Sequence, residues 1–101
     1  MAERADLQTK LENILGSENV YFQPPANLSM NYPAVVYSRL DIDNTHANNS
    51  VYKQNVAYKI TVIYEDPDSD WPLTISKLPM CRFDRSYVSD NLYHDVFTLY
   101  F

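Results

Sequence analysis

The sequence predicts one α+β domain: a mostly antiparallel sheet of four to five strands, with an N-terminal helix and a short second helix packed on one side. Two patterns lead to this class. Apolar residues recur at helical spacing near the N-terminus, and apolar residues alternate strictly across 55–64. Helices on one face of an antiparallel sheet bury the apolar surfaces of both. The 101 residues suffice for one such domain, spanning 1–101, and not for two.

The N-terminal segment, residues 2–15, predicts an amphipathic helix. Its apolar side chains fall at i, i+4, i+7 and i+8 and share one face: Leu7, Leu11, Ile14 and Leu15. Gly16 stands where the end of a helix commonly requires a left-handed residue. Residues 20–22 then predict a short strand. Pro24 and Pro25 end it, because proline lacks the N–H that a sheet requires.

The middle of the chain predicts two strands and the connection between them. Residues 34–42 predict a strand. Three of its side chains are expected on one face: Val36, Leu40 and Ile42. Residues 43–54 are polar and rich in asparagine, and they predict a long loop or the tip of an extended hairpin. Residues 55–64 predict a central strand, because both of its faces carry apolar side chains.

The last third predicts a short helix and a hairpin. The helix follows the acidic turn 65–70, and Asp68, Ser69 or Asp70 is expected to cap it. Its apolar residues lie at i, i+4 and i+7: Trp71, Ile75 and Leu78. Strands are expected over 81–88 and 92–101, joined by a turn in which aspartate and asparagine tolerate left-handed φ.

Alternation continues to the last residue of the sequence. Phe97, Leu99 and Phe101 are expected on one face of the final strand. A chain end is normally frayed unless something holds it. An apolar end therefore predicts docking, either in the domain's own sheet or against a neighbouring subunit.

Composition limits the classes of function. Thirteen acidic and eight basic residues give a net charge of −5, whereas gripping nucleic-acid phosphates needs clustered lysine and arginine. Tyr87, Tyr93 and Tyr100 are therefore expected in a core or an interface rather than stacked on bases. The single Cys81 excludes an internal disulfide and a cysteine zinc site, which fits a reducing cytoplasm. No apolar run approaches the ~20 residues of a membrane span, and the first residues lack the apolar core of a signal peptide.

Two acidic groups are candidates for a metal site. Asp41, Asp43 and His46 lie at a predicted strand end, but no glycine turn or distal glutamate completes a calcium loop. The second group lies in the turn 65–70, where a helix start explains the acids equally well. We expect no metal site and no cofactor.

One constellation suggests catalysis. Cys81 with His94 and Asp95 has the residue types of a Cys-His-Asp hydrolase. Adjacent residues of a strand point to opposite faces, so His94 and Asp95 are not expected to pair. We therefore predict no catalytic residue and no enzyme.

The order of short motifs carries further information. VYFQPP (20–25) follows the first helix, and YPAVVY (32–37), VAYKITVIY (56–64), DPDSD (66–70), LPMC (78–81) and FDRSYVSDNLYHDVFTLYF (83–101) come after it. This ordered set covers nearly the whole chain. It resembles the small tail-terminator (tail-completion) proteins of long-tailed bacteriophages, which also join head and tail.

The resemblance implies a structural virion protein that uses no cofactor and catalyses nothing. Such proteins form a ring, expected here to be a homohexamer, on the head-proximal end of the tail tube. The ring stops tube elongation and joins the tail to the head connector. The implied partners are further copies of the chain, the tail tube protein and the head connector or adaptor protein. DNA would pass through the lumen without specific binding, and no membrane is involved. The implied location is the tail and neck of the virion, and the host cytoplasm during assembly.

The residues themselves suggest where contacts with a neighbouring subunit or the tail tube lie. A polar connection of 12 residues in so short a chain is usually either functional or a mobile solvent loop, and the aromatic chain end docks either in its own sheet or on a neighbouring subunit. The predicted interface residues are Asn44, His46, Asn48, Asn49, Tyr52, Lys53, Tyr100 and Phe101. Two alternatives stay open: another phage neck adaptor or head-completion protein, and a small acidic inhibitor of a host protein.

Overall fold

The computed structural model describes residues 4–26, 28–47 and 50–101, with the backbone alone for 41–47 and 50–55. In chain order the elements are α1 (Arg4–Leu15), β1 (Val20–Phe22), β2 (Ala34–Ala47), β3 (Ser50–Tyr64), α2 (Trp71–Ser76), β4 (Cys81–Ser89) and β5 (Leu92–Tyr100). The strands form one sheet in the order β1-β2-β3-β5-β4. β1 is parallel to β2, and the other pairs are antiparallel. The predicted α+β class is confirmed.

The core lies between the two helices and one face of the sheet. Helix α1 contributes Leu7, Leu11 and Leu15, and α2 contributes the fully buried Ile75. The sheet contributes one set of alternating side chains: Val35, Tyr37, Tyr58, Ile60, Val62, Tyr64, Phe97 and Leu99. We call this side of the sheet the helix face and the other side the open face. Strand β3 is central, as its sequence predicts.

A tyrosine hydroxyl ties α1 to two strands. The Arg4 guanidinium donates a hydrogen bond of 2.9 Å to the hydroxyl of Tyr37, and that hydroxyl donates one of 2.5 Å to the amide oxygen of Gln8. The Gln8 amide nitrogen in turn donates to the carbonyl of Val20 in β1, at 3.0 Å. The hydroxyl of a fully buried tyrosine is thereby satisfied at the helix–sheet boundary.

Left-handed residues mark two predicted chain reversals. Gly16 has φ +72°, and the N–H groups of Gly16 and Ser17 both donate to the carbonyl of Glu12, which ends α1. Asp90 and Asn91 have φ +53° and +63° in the tight turn between β4 and β5. Helix α2 differs from its prediction, because it ends at Ser76, before Leu78, and the side chain of Asp70 makes no cap hydrogen bond.

The alternation predicted for β2 is interrupted at Leu40. The register passes from Arg39 opposite Tyr58 to Asp41 opposite Ala57, so Leu40 is an extra residue in a β-bulge. Leu40 is 56% exposed, whereas Ala34, Val35 and Tyr37 are buried. A bulge breaks the alternation from which a common face of Val36, Leu40 and Ile42 was predicted. The side chain of Ile42 lies outside the described residues.

Residues 43–47 and 50–54 belong to an extended hairpin. β2 continues to Ala47 and β3 begins at Ser50, and the last backbone pair of the hairpin joins these two residues. Of the two predicted forms, the structure has the extended hairpin.

The end of the chain is docked in the domain's own sheet. Phe97 and Leu99 are each 1% exposed, and Phe101 packs against the core. The N–H of Phe101 donates to the carbonyl of Val56 at 3.1 Å, and that of Tyr100 donates to Met80 at 3.2 Å. The predicted docking is confirmed, and it does not require a neighbouring subunit.

We predict that Leu99→Ala lowers the free energy of unfolding by about 2–5 kcal/mol, because it removes a fully buried side chain and leaves a cavity. Leu73→Ala is the matched control, since Leu73 is 64% exposed, and we expect a change within about 0.5 kcal/mol. Urea unfolding measures both. Equal losses in the two variants would contradict the assigned core.

We predict that Tyr37→Phe costs about 1 kcal/mol, because the lost hydroxyl joins Arg4 to Gln8. Tyr93→Phe is the control, because the Tyr93 hydroxyl forms no hydrogen bond with any described residue and its ring keeps the stack on Tyr64. The comparison is again made by urea unfolding. A Tyr37→Phe variant as stable as the control would show that the hydroxyl does not hold α1 in place.

Candidate functional site: assembly surfaces

The β2–β3 hairpin continues beyond the rest of the sheet. Strand β1 pairs with β2 only as far as Tyr37, and β5 pairs with β3 only from Ala57 onward. We call residues 43–47 and 50–55 the arm. Its ladder runs from Asp43 opposite Asn55 to Ala47 opposite Ser50. Five residues at about 3.4 Å each give a projection of about 17 Å.

The molecule is elongated. Its principal dimensions are 52 × 28 × 23 Å, and its radius of gyration is 14.7 Å. A compact domain of about 100 residues has a radius of gyration of about 13 Å. The projecting hairpin accounts for the larger radius of gyration of this chain.

The arm is a two-stranded ribbon without a third strand on either side, among the described strands. A lone two-stranded hairpin is at best marginally stable in water. Unpaired N–H and C=O groups along its two edges are also a template for pairing with another chain. The arm is therefore the part of the described chain that gains most from an assembly partner.

The arm carries four of the eight predicted interface residues. The backbone of Asn44, His46 and Lys53 is paired within it, and Tyr52 falls at a register shift, where it is an extra residue. Only the backbone of these four residues is described. Asn48 and Asn49 lie outside them entirely.

The structure brings the chain end to the base of the arm. The N–H of Phe101 donates to the carbonyl of Val56, and Val56 directly follows Asn55, the last arm residue on β3. Tyr100 is 46% exposed and lies on the wall of a shallow groove of about 240 Å³, beside Met80 and Lys10. The two groups of predicted interface residues thus adjoin at one end of the molecule.

An exposed apolar strip on β4 was not among the predicted interface residues. Phe83 is 53% exposed and Val88 is 64% exposed, on the edge strand of the sheet. A β-bulge at Asp84 interrupts this strand, and the Asp84 carboxylate accepts hydrogen bonds from Arg82 and from the hydroxyl of Thr98. Bulges and charges on an edge oppose pairing with another edge. Alternation in 81–88 would have grouped Phe83 with Tyr87 rather than with Val88, because the bulge shifts the register between Phe83 and Arg85.

A second groove runs between α2 and β4 on the helix face. It holds about 480 Å³ and is lined by Tyr64, Leu73, Ser76, Phe83, Asp95 and Phe97, among others. The Tyr64 hydroxyl donates a hydrogen bond of 2.6 Å to one carboxylate oxygen of Asp95. Burial raises the pKa of the Tyr64 phenol well above its ordinary value, and the bond to Asp95 raises it further. The phenol therefore stays protonated and keeps donating to the carboxylate. We call this the α2–β4 groove.

The Cys-His-Asp constellation is not brought together. Asp95 lies on the helix face, whereas the His94 ring lies on the open face, stacked on Tyr87 with centroids 4.7 Å apart. Cys81 pairs with Leu99, toward the other end of β5. Burial raises the pKa of the Cys81 thiol, and the charge of Asp84 adds to this, so the thiol stays protonated.

The structure groups no metal ligands within its described part: no three His, Cys, Asp or Glu side chains come together there. In the turn 65–70, the Asp66 carboxylate accepts the N–H of Asp68 at 3.0 Å, as an ordinary turn requires. The side chains of Asp41, Asp43 and His46 lie outside the described residues.

None of the helices within 4–26, 28–47 and 50–101 is long and apolar enough to cross a membrane. Comparison with family models, with curated proteins and with solved structures finds no match to this chain. The surfaces described above and the resemblance of the motifs are therefore the observations that bear on the function of this chain.

We predict that Cys81 reacts with iodoacetamide several-fold more slowly than a free thiol at pH 8, because its raised pKa leaves little thiolate. Mass spectrometry of the alkylated protein over time measures the rate. The urea-unfolded protein is the control and should react at the rate of a free thiol. Equal rates in the folded and unfolded protein would contradict the burial of this sulfur.

Proposed function

We propose that this chain is a structural subunit that assembles through its arm into a homo-oligomeric ring, and that this ring is the tail terminator of a long-tailed bacteriophage. The observation that carries the proposal is the arm. It extends about 17 Å beyond the sheet, with unpaired edges on both sides. The phage assignment is supported by the ordered motifs at 20–25, 32–37, 56–64 and 66–101.

The proposed ring uses the arm in a head-to-tail contact. The arm projects from the sheet of an elongated molecule, and in the ring it would pair with a surface of the next copy other than that copy's arm. Such head-to-tail contacts close into a ring when the rotation between copies divides a full turn. The resemblance implies six copies. A ring built in this way needs no cofactor and no catalytic group.

The charge of the chain suits a ring through which DNA passes. A net charge of −5 per copy repels phosphates, so the lumen would not retain the duplex. The neighbouring parts of the virion, the tail tube protein and the head connector, would contact the two rims of the ring.

Two alternatives predict different outcomes. Another neck adaptor or head-completion protein would use the same arm but would sit elsewhere on the particle. A small acidic inhibitor of a host protein is favoured by the exposed acids of the β3–α2 turn, Glu65, Asp66, Asp68 and Asp70. An inhibitor would be absent from purified particles.

The decisive variant removes the arm. Replacing residues 44–54 with an Asn-Gly turn keeps the pair Asp43 and Asn55 in register. Neither β1 nor β5 pairs with the arm, so we expect a melting temperature within about 4 °C of wild type, which corresponds to less than about 1 kcal/mol. Purified tail tubes assembled with the variant should grow to uncontrolled length and fail to join heads. Electron microscopy measures both effects.

The control replaces Asp90-Asn91, the turn of the other hairpin, with Asn-Gly. These residues already have left-handed φ, so the control should fold, cap tubes and join heads as the wild type does. Quantitative mass spectrometry of purified particles should find several copies of the chain per tail, and immunogold labelling should place them at the neck. One copy per particle, absence from particles, or normal tubes without the arm would each overturn the proposal.

A further inference from the structure

The α2–β4 groove contains a buried acid that the proposed assembly does not use. Asp95 is 6% exposed, and the only hydrogen bond that its carboxylate accepts in the described part of the chain comes from the Tyr64 hydroxyl. That bond occupies one carboxylate oxygen, Oδ2. No described residue forms a salt bridge with Asp95, and Asp95 is the only charged residue that lines the groove. One neutral phenol does not compensate a buried carboxylate as a cation would.

The second carboxylate oxygen reaches the groove. Within the described residues, no fully buried side-chain nitrogen or oxygen lacks a hydrogen-bond partner. The Oδ1 atom of Asp95 has no such partner, so it must contact solvent, and the groove is the opening that Asp95 lines. A carboxylate oxygen that no described residue bonds is therefore available as an acceptor in this groove.

The walls of the groove suit an aliphatic stem. Leu73 is 64% exposed and Phe83 is 53% exposed, and they stand on α2 and β4 respectively. The Phe83 ring rests on the ring of Phe97 with centroids 5.5 Å apart, which fixes one wall. Arginine and lysine bury an apolar stem while presenting a charged head. The Ser76 hydroxyl donates to the carbonyl of Leu73, so its lone pairs remain free to accept a further N–H.

We propose that the α2–β4 groove binds an arginine or lysine side chain of a basic partner protein, with its stem against Leu73 and Phe83 and its cationic head on Asp95. A basic protein suits this site better than a second copy of the chain, because copies with a net charge of −5 repel one another. Two arginines of the chain are also already engaged, Arg4 with Tyr37 and Arg82 with Asp84. Binding at this groove depends neither on the proposed ring nor on the proposed phage function.

The test uses two small probes that differ only in charge. N-butylguanidinium has the stem and head of an arginine side chain, and N-butylurea is its neutral isostere. Each is titrated into the ¹⁵N-labelled protein while the backbone amide resonances are followed. We expect N-butylguanidinium to shift the amides of the α2–β4 groove with a Kd on the order of 1–10 mM, as its small size dictates. N-butylurea should bind at least about fivefold more weakly, because it lacks the charge-assisted hydrogen bond.

Variants separate the carboxylate from the walls. Asp95→Asn should abolish the preference for the charged probe, whereas Asp90→Asn, in the exposed β4–β5 turn, should leave it unchanged. Tyr64→Phe should also keep the preference, because Tyr64 occupies only the other oxygen of Asp95.

Several outcomes would overturn the site. Equal affinity of the wild type for both probes would mean that the Tyr64–Asp95 pair is only a structural hydrogen bond. Shifts confined to other regions, or loss of the preference in Tyr64→Phe, would also refute it. The comparison of the two probes on the wild type decides the matter even if Asp95→Asn does not fold. Failure here leaves the tail-terminator proposal intact, since that proposal is tested on the arm and on particles.

Discussion

The fold depends on a mismatch of length between its two layers. The 12 residues of α1 and the 6 of α2 give helices of about 18 Å and 9 Å, whereas the 14 residues of β2 and the 15 of β3 extend for nearly 50 Å. Helices of this size cover one face of the sheet only at the end away from the arm, where the buried residues of β2 and β3 lie. The core consequently lies under Leu7, Leu11 and Ile75. The arm, the β4 edge and the α2–β4 groove are the parts of the sheet that this helical layer does not cover.

Two tyrosines of the helix face differ in their hydrogen-bond partners. Both are held by hydrogen bonds at the edge of the core, and burial raises the pKa of each. Tyr37 lies beneath the longer helix, and its hydroxyl is bonded on both sides, to Arg4 and to Gln8. Tyr64 lies beside the shorter helix and bonds to a carboxylate instead. Within the described residues, no side chain with a positive charge forms a salt bridge with Asp95, and none lines the α2–β4 groove.

The sequence predicts the parts of this fold that rest on local rules. The alternation in β3, the left-handed Gly16 and the Asp90-Asn91 turn each follow from a short stretch of chain, and the structure confirms them. Prediction fails where register is set by a partner strand. The bulge at Leu40 interrupts the alternation that was predicted for β2. The polar residues of the arm form strands although their sequence shows no apolar alternation. The α2–β4 groove could not be predicted from the sequence either, since Tyr64 and Asp95, which contact each other there, are 31 residues apart. The sequence nevertheless holds a signal for it, because Asp95 alternates in phase with Phe97 and Leu99 and is therefore an acid on an apolar face.

The two exposed regions differ in the kind of partner that they suit. The arm offers backbone groups, and strand pairing through the backbone is tolerant of sequence, so it fits contacts repeated between identical copies. The α2–β4 groove offers one charge at the bottom of an apolar slot, and such a site discriminates, because a neutral or acidic partner would leave Asp95 uncompensated. The regions are also apart. The arm begins beside Phe101, and Asp95 lies six residues farther back along β5, about 20 Å away at the rise of a strand. A subunit can therefore be held by its neighbours through the arm while the groove stays free for a basic side chain of a second protein.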